Sequence, residues 1–510
     1  MAVNVHSVTA PIGGWNKRDP LASMGDTDAV ILDNFFCQPT ELELRGGYAD
    51  HVTGITGDVE TLMDYESASG TSELFAAADN SGTCAIYDVT TAGTVGAAVV
   101  SGLTSARFRH SHINTVGGSF AHFVNGADNL QLYDGTTWYT VTDVSATYSI
   151  TGVDTATLDD VALHMRRMWF VEQNSMSAWY LATDAISGAA TEFNIGAVFH
   201  RGGKLAKLAT LTIDAGYGMD DHLAFISSEG EVALYRGTNP ASASTWSLVG
   251  VYFIGAPIGI NFTRKFGGDV IVITRSGPVS LTGAMQTKDK NNSALTDKIN
   301  QQVASDTANY GSQYGWDVIA FPQKNVLFLN VPISSTVSYQ YVMNTITGAW
   351  SRFTGWNAKC WYVLNNELYF GGAGTVYKAW TGTSDNGSDI VTDVLPAFNN
   401  FGTQSQIKRI AMARIILGYD SAVGVVADIN IDFDMATPVS TPTFSPSVYG
   451  TWDSGVWDSA IWGGDLVVAR DWQSVFGIGY WASLHFKTSS SNANISVYSL
   501  DYTVEKGGVL

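Results

Sequence analysis

Seven times before residue 381 a short apolar run breaks at Gly, Asn, Asp or Ser and resumes as a second apolar run, and this unit restricts the fold more than any other feature. The pairs are Leu74–Ala77 with Ala85–Asp88, His122–Val124 with Leu132–Asp134, Met168–Val171 with Trp179–Leu181, and Leu223–Ile226 with Ala233–Tyr235. Val270–Ile273 with Val279–Leu281, Val326–Leu329 with Tyr339–Val342, and Leu368–Phe370 with Thr375–Tyr377 complete the series. Two apolar stretches joined by turn-forming residues are the signature of a β-hairpin. Successive units lie about 40 to 57 residues apart, the length that one four-stranded propeller blade takes. Several are followed by an aromatic residue, at Trp138, Trp246, Trp350 and Trp380. The expectation for residues 51–380 is an all-β, irregular β-propeller of about six to seven blades. A set of unrelated hairpins in a sandwich is the alternative, and the length and order of the series favour the propeller.

The flanking regions read differently. Residues 1–50 show little periodicity until Glu41-Leu42-Glu43-Leu44-Arg45, so an N-terminal segment packing on the propeller or on a neighbouring subunit is expected. The turn-rich stretch 381–388 reads as a linker. Beyond it, Ile410, Met412 and Arg414 alternate with Ala411, Ala413 and Ile415, and Tyr498, Leu500, Tyr502 and Val504 fall on one strand face, which predicts an additional C-terminal β-sandwich domain over 381–510. The helical period surfaces at 293–303, where Ser293 is a candidate cap and Leu295, Ile299 and Val303 form one stripe.

The 510 residues suffice for one large or several medium cores, and only 15% are charged. There is no signal-peptide pattern and no apolar run of about 18 residues, so neither export nor a membrane span is indicated. Cys37, Cys84 and Cys360 are far apart and lack CxxC spacing, which argues against disulfides and zinc fingers. The net charge of −20 disfavours a tight wrap around nucleic acid, which needs Lys and Arg on the phosphates. A net acidic wall is compatible with DNA sliding past it, although ordinary solubility explains the charge equally well.

Nucleophile, Walker, HExxH, EF-hand and dinucleotide signatures are missing, so the expectation is a protein that is not an enzyme, with no catalytic residues and no cofactor. His110 and His112 share a strand face with His122 near in sequence, but no further ligand follows at diagnostic spacing, so no metal site is expected. Asp428, Asp432 and Asp434 read as one solvated strand face, and Asp134-Gly135-Thr136-Thr137-Trp138 as a turn. Trp452, Trp457 and Trp462 recur every five residues and form a candidate interface or packing cluster.

The run Ala10-Pro11-Ile12-Gly13-Gly14-Trp15-Asn16-Lys17-Arg18-Asp19-Pro20-Leu21-Ala22, then Asp28-Ala29-Val30-Ile31-Leu32-Asp33-Asn34-Phe35-Phe36 and Leu44-Arg45-Gly46-Gly47-Tyr48, carries a resemblance. In that order these segments resemble the packaged-DNA stabilisation proteins of podoviruses, also called tail hub or nozzle proteins. Looser matches are Leu132–Trp138, Asn344-Thr345-Ile346-Thr347-Gly348-Ala349-Trp350-Ser351-Arg352 and Ser496–Tyr502. The resemblance implies a structural virion protein of a short phage tail, a homo-oligomeric ring of six below the portal and adaptor. Such a ring encloses a channel for the transient passage of double-stranded DNA and carries tail fibres or spikes. A glycan-binding or glycan-cleaving propeller, with the three tryptophans stacking on sugars, is the alternative, and a propeller scaffold unrelated to virions is a third reading.

Overall fold

All seven apolar-turn-apolar units form antiparallel hairpins. A computed structural model of the chain describes residues 3–214, 219–286, 295–439, 443–444 and 467–509. Each hairpin gains a strand on its first side: in order Tyr48–Glu66, Arg109–Thr115, Leu158–His164, Leu205–Asp214, Thr263–Phe266, Asp317–Phe321 and Cys360–Leu364. Most gain a further strand on the second side, and three of these open on the tryptophans read from the sequence, Trp138, Trp246 and Trp350. With 56% of residues in strands and 6% in helices, the chain is all-β, and its small sheets follow one another in a propeller-like arrangement.

Apolar residues hold successive sheets face to face. Tyr65 and Phe75 meet Phe123 and Tyr133, Leu132 meets Phe170, Trp169 meets Phe225 and Trp246, and Phe328 meets Trp361 and Phe370. The Trp169 and Trp246 rings stack at 5.6 Å with 18° between planes, an offset geometry that aromatic pairs favour. The last sheet meets the first through Val59, Leu74, Cys360 and Tyr369.

Closure of this series is covalently continuous. The 19-residue strand Tyr48–Glu66 pairs along its first half with Ala373–Ala379 and along its second half with Ser72–Asn80. It thus serves as the outer strand of the last sheet and the first strand of the first sheet. That division of labour explains why Trp380, unlike the other three tryptophans, is followed by no fourth strand of its own sheet.

The segment before residue 48 is laced into strands from beyond residue 390. Val3–Thr9 and Leu42–Leu44 pair with Ile495–Val509, which pairs with Gln406–Tyr419. Asp28–Asp33 pairs with Asp393–Pro396, which continues through Ala482–Ser490 to Val423–Ile431. The two sheets share one core, in which Ile410, Ile415, Leu500 and Val504 meet Val425, Leu484 and Phe486. Asp28–Asp33 also touches Trp350–Phe353 in parallel, so the second of these sheets runs on into a sheet of the propeller-like series.

Three local expectations shift. The helix begins at Asn300 and runs to Tyr310, later than the periodicity placed it, after a 3-10 turn over Asp297–Ile299; Ile299 and Val303 are buried, and Ser293 lies outside the described residues. Simple alternation fails in Gln406–Tyr419, because a bulge between Ile410 and Ala413 lets Ile410, Ala413 and Ile415 all point inward while Met412 is exposed. Asp432 and Asp434 do not share a strand with Asp428: the strand ends at Ile431, and Asp432 Oδ1 accepts hydrogen bonds from the Tyr480 and Trp481 amides at 2.7 and 2.9 Å.

Candidate functional site

Polar residues on the first strand of each sheet converge at the centre of the series. Each of these strands contributes at least one polar side chain to it. A cavity of about 170 Å³ there is lined by Arg109 and His110, Asp160, Lys207, Arg264, Asp317 and Tyr362 among others. Arg109 bonds Asp159 at 2.5 Å and sits 4.0 Å from Asp160, whose Oδ2 accepts from the Leu208 amide at 2.8 Å. The Arg264 guanidinium lies 3.6 Å from Asp317 and donates from Nε to the Val318 carbonyl at 2.9 Å.

Burial dominates the electrostatics of this centre. Desolvation pushes the Asp317 carboxyl up to about 6 against the pull of Arg264 and Lys207, and brings the Lys207 ammonium down to about 8 against the pull of Asp160. Asp160 is raised for the same first reason. Acid and base are therefore both displaced toward their neutral forms.

A stability prediction follows for Asp317. A carboxyl with an elevated folded-state pKa holds its proton more tightly in the folded chain, so its contribution is best at low pH and declines as pH rises from the unfolded value of about 3.9 through about 6. Asp317→Asn should match the parent near pH 4 and exceed it above pH 6, by up to about 3 kcal/mol, read as urea midpoints across that range. A variant less stable than the parent at pH 7.5 would show instead that the ionised carboxylate is held by Arg264.

Beside the cavity, Asp64 is almost fully buried and gathers three side chains. Its Oδ1 lies 2.9 Å from His110 Nε2, 3.4 Å from His112 Nε2 and 2.6 Å from the Tyr362 hydroxyl, which donates to it. His112 Nε2 is also 3.0 Å from the Asp64 carbonyl oxygen. Burial raises the Asp64 carboxyl, but the His110 hydrogen bond and both imidazoles outweigh it and hold the group below its usual value. Burial lowers His112, and His110 beside it adds to the effect.

The His110–His112 pairing read from the sequence thus stands on one face of one strand, and the strand supplying Asp64 could not be seen from local spacing. His122 does not join them. It faces the next sheet, 6.0 Å from the Phe170 ring with Nε2 2.8 Å from the Ile186 carbonyl, and burial brings it down to about 4. Cys37, Cys84 and Cys360 are free and buried. Asp134 forms the expected turn, its Oδ1 accepting from the Thr136 and Thr137 amides at 2.9 and 2.8 Å. Trp452, Trp457 and Trp462 lie outside the described residues. Among the described residues, no helix is long and apolar enough to cross a membrane.

A second cluster sits where the N-terminal segment meets both halves of the chain. Arg45, with a fully buried side chain, bonds both Asp385 oxygens at 2.8 and 2.6 Å, the Thr354 carbonyl at 2.6 Å and Asn34 Oδ1 at 2.9 Å. Its guanidinium lies 4.8 Å from the Trp356 ring centre. Arg352 grips Asp33 bidentately at 2.7 and 2.6 Å, and the Asn344 amide donates to the Cys37 carbonyl at 2.8 Å. Glycine is required at 47, since a Cβ there would collide with the Ser384 backbone, and at 14, where φ is +89° and a Cβ would strike Trp350 main chain.

No family model and no curated protein sequence matches the chain. Among solved structures it is similar to Chaetomium thermophilum Raptor, at 9% identity and a TM-score of 0.36 over 66% of this chain and 29% of that one. It is also similar to BBS1N from a complex with ARL6DN, at 11% identity and a TM-score of 0.39 over 67% of this chain and 99% of that one. The chain therefore spans 29% of the length of the Raptor chain.

Proposed function

We propose that this chain is a structural, non-catalytic component of the tail of a short-tailed bacteriophage: a hub or nozzle subunit that forms a ring below the portal and adaptor, helps retain packaged DNA, and conducts it at ejection. In this reading the residues 48–380 are a seven-bladed propeller closed by the shared strand, the N-terminal and C-terminal strands make a β-sandwich against it, and the subunit resides in the virion tail with fibres or spikes outside.

One observation carries the proposal. The segments that gave the resemblance converge in space although they are scattered along the chain: Gly14 lies against Trp350, Asp33 grips Arg352, Asn34 holds Arg45, and the Ala10 amide donates to the Tyr498 carbonyl at 3.1 Å. Together they form the joint between the propeller-like series and the outer sheets. Leu132–Trp138 is the exception, serving as a local turn and strand.

The centre of a single subunit is not the conduit. Charged side chains fill it to a cavity of about 170 Å³, and a duplex whose major groove alone is about 12 Å wide has no passage there. A DNA channel in this proposal lies between subunits, which makes oligomerisation essential to the function. The test is mass photometry of the purified chain with and without portal and adaptor, together with immunogold labelling of intact particles. Rings and label at the tail are expected; a chain that stays monomeric with both partners and never labels particles would overturn the proposal.

A further inference from the structure

We infer that Asp64, His110 and His112 form a binding site for one divalent transition-metal ion of the zinc class, placed between the first and second sheets of the propeller-like series and against the last. Asp64 comes from Tyr48–Glu66, the two histidines from Arg109–Thr115, and Tyr362, which orients the carboxylate, from Cys360–Leu364.

The geometry is that of a ligand set. The three donor atoms all lie within 4.8 Å of one another. Asp64 Oδ1 to His110 Nε2 is 2.9 Å and to His112 Nε2 is 3.4 Å. Donors bound to zinc at about 2.0 to 2.2 Å in a tetrahedron stand about 3.4 Å apart, so both imidazoles already stand near the distance from the carboxylate that a shared ion requires. Two imidazoles and one carboxylate suit Zn²⁺, Co²⁺ or Ni²⁺ and are a poor match for the all-oxygen preference of Ca²⁺ and Mg²⁺. The fourth position is left to the Tyr362 hydroxyl, 3.4 Å from His110 Nε2, or to solvent, which reaches the half-buried His112.

The surroundings hold the ligands in place. The His110 ring stacks on Phe123 at 5.7 Å with 22° between planes, and the Tyr362 hydrogen bond fixes the carboxylate. These are the supporting contacts that ligating groups need. A neutral imidazole ligates through Nε2 with its proton on Nδ1, so the ion takes the place of the Nε2 contacts to Asp64 by a tautomer shift within each ring, with no net release of a proton. Bound there, the ion ties the closing strand to its neighbour, a clasp independent of whether the protein belongs to a virion tail.

The experiment is titration of the chelator-stripped, full-length chain with ZnCl₂ by calorimetry and with Co²⁺ by visible absorption. One saturable equivalent is expected, with a raised unfolding temperature. His112→Ala and Asp64→Asn should weaken affinity at least 10 to 100-fold, whereas His200→Ala, an exposed histidine elsewhere, should leave it unchanged. Should the Asp64 variant fail to fold, Zn²⁺ protection of His110 and His112 from diethylpyrocarbonate, read by peptide mass spectrometry, decides the matter in the parent chain. No saturable uptake, uptake indifferent to His112→Ala, or unprotected histidines would overturn the site.

Discussion

Replacing Arg45 by Met should lower stability by about 3–5 kcal/mol, the cost of breaking a buried ion pair by removing one partner. The guanidinium has no exposed surface, and all of its donor nitrogens are engaged by Asp385, Asn34, Thr354 and the Gly46 carbonyl. Methionine would fill the volume over Trp356 but leave the Asp385 carboxylate facing an apolar pocket. Asp385→Asn alone should also destabilise, and the double variant should cost clearly less than the sum, because the two residues act as a unit. Urea midpoints read by Trp fluorescence measure all three. Additive losses would show that Arg45 acts by packing on Trp356 and not through the pair. Since a chain of several sheets need not unfold in one step, hydrogen exchange adds a location: protection should fall first in Tyr48–Glu66 and Leu42–Leu44.

The second large effect is expected at Trp350. Its indole is 2% exposed and donates from Nε1 to the Leu295 carbonyl at 3.1 Å, while its backbone closes against Gly14. Trp350→Ala removes a fully buried indole from that joint and should cost about 3–5 kcal/mol. Trp350→Phe keeps most of the apolar volume but leaves the Leu295 carbonyl without its donor, so it should fall between the parent and the alanine variant. A loss below about 1 kcal/mol for alanine would mean that the joint collapses around the cavity, which the packing of Trp15 and Tyr341 nearby makes unfavourable.

The hairpins were legible because each is a local event: an apolar run, a turn, and a second apolar run within twenty residues. The aromatics noted after them were local too: Trp138, Trp246 and Trp350 open the neighbouring strand, and Trp380 does not. What local reasoning misses is any pairing made across the chain. Tyr48–Glu66 is one strand that serves both the first and the last sheet, and nothing near it in sequence announces Ala373–Ala379 as its partner. The same holds for Asp64, which lies 46 residues from His110 and reaches it only because the first strands of successive sheets lie side by side. A usable signal was nonetheless present: charged, imidazole or phenolic residues in the strand before each hairpin, as at Asp64, His110, Asp160, Lys207, Arg264, Asp317 and Tyr362. The alternation beyond residue 400 was misread for a different reason, since a bulge changes phase without leaving a mark in composition.

His6 pairs with Tyr502, and Ile31 with Leu395. During synthesis, the strands made first must therefore wait, unpaired, until hundreds of later residues have been added. Contacts of such separation form slowly, because loop-closure entropy precedes any gain. The hairpins can assemble one after another as they emerge, but the outer sheets belong to the final stage, with apolar strand edges open to other chains in the meantime. Slow maturation and sensitivity to expression temperature are the practical signature of that order.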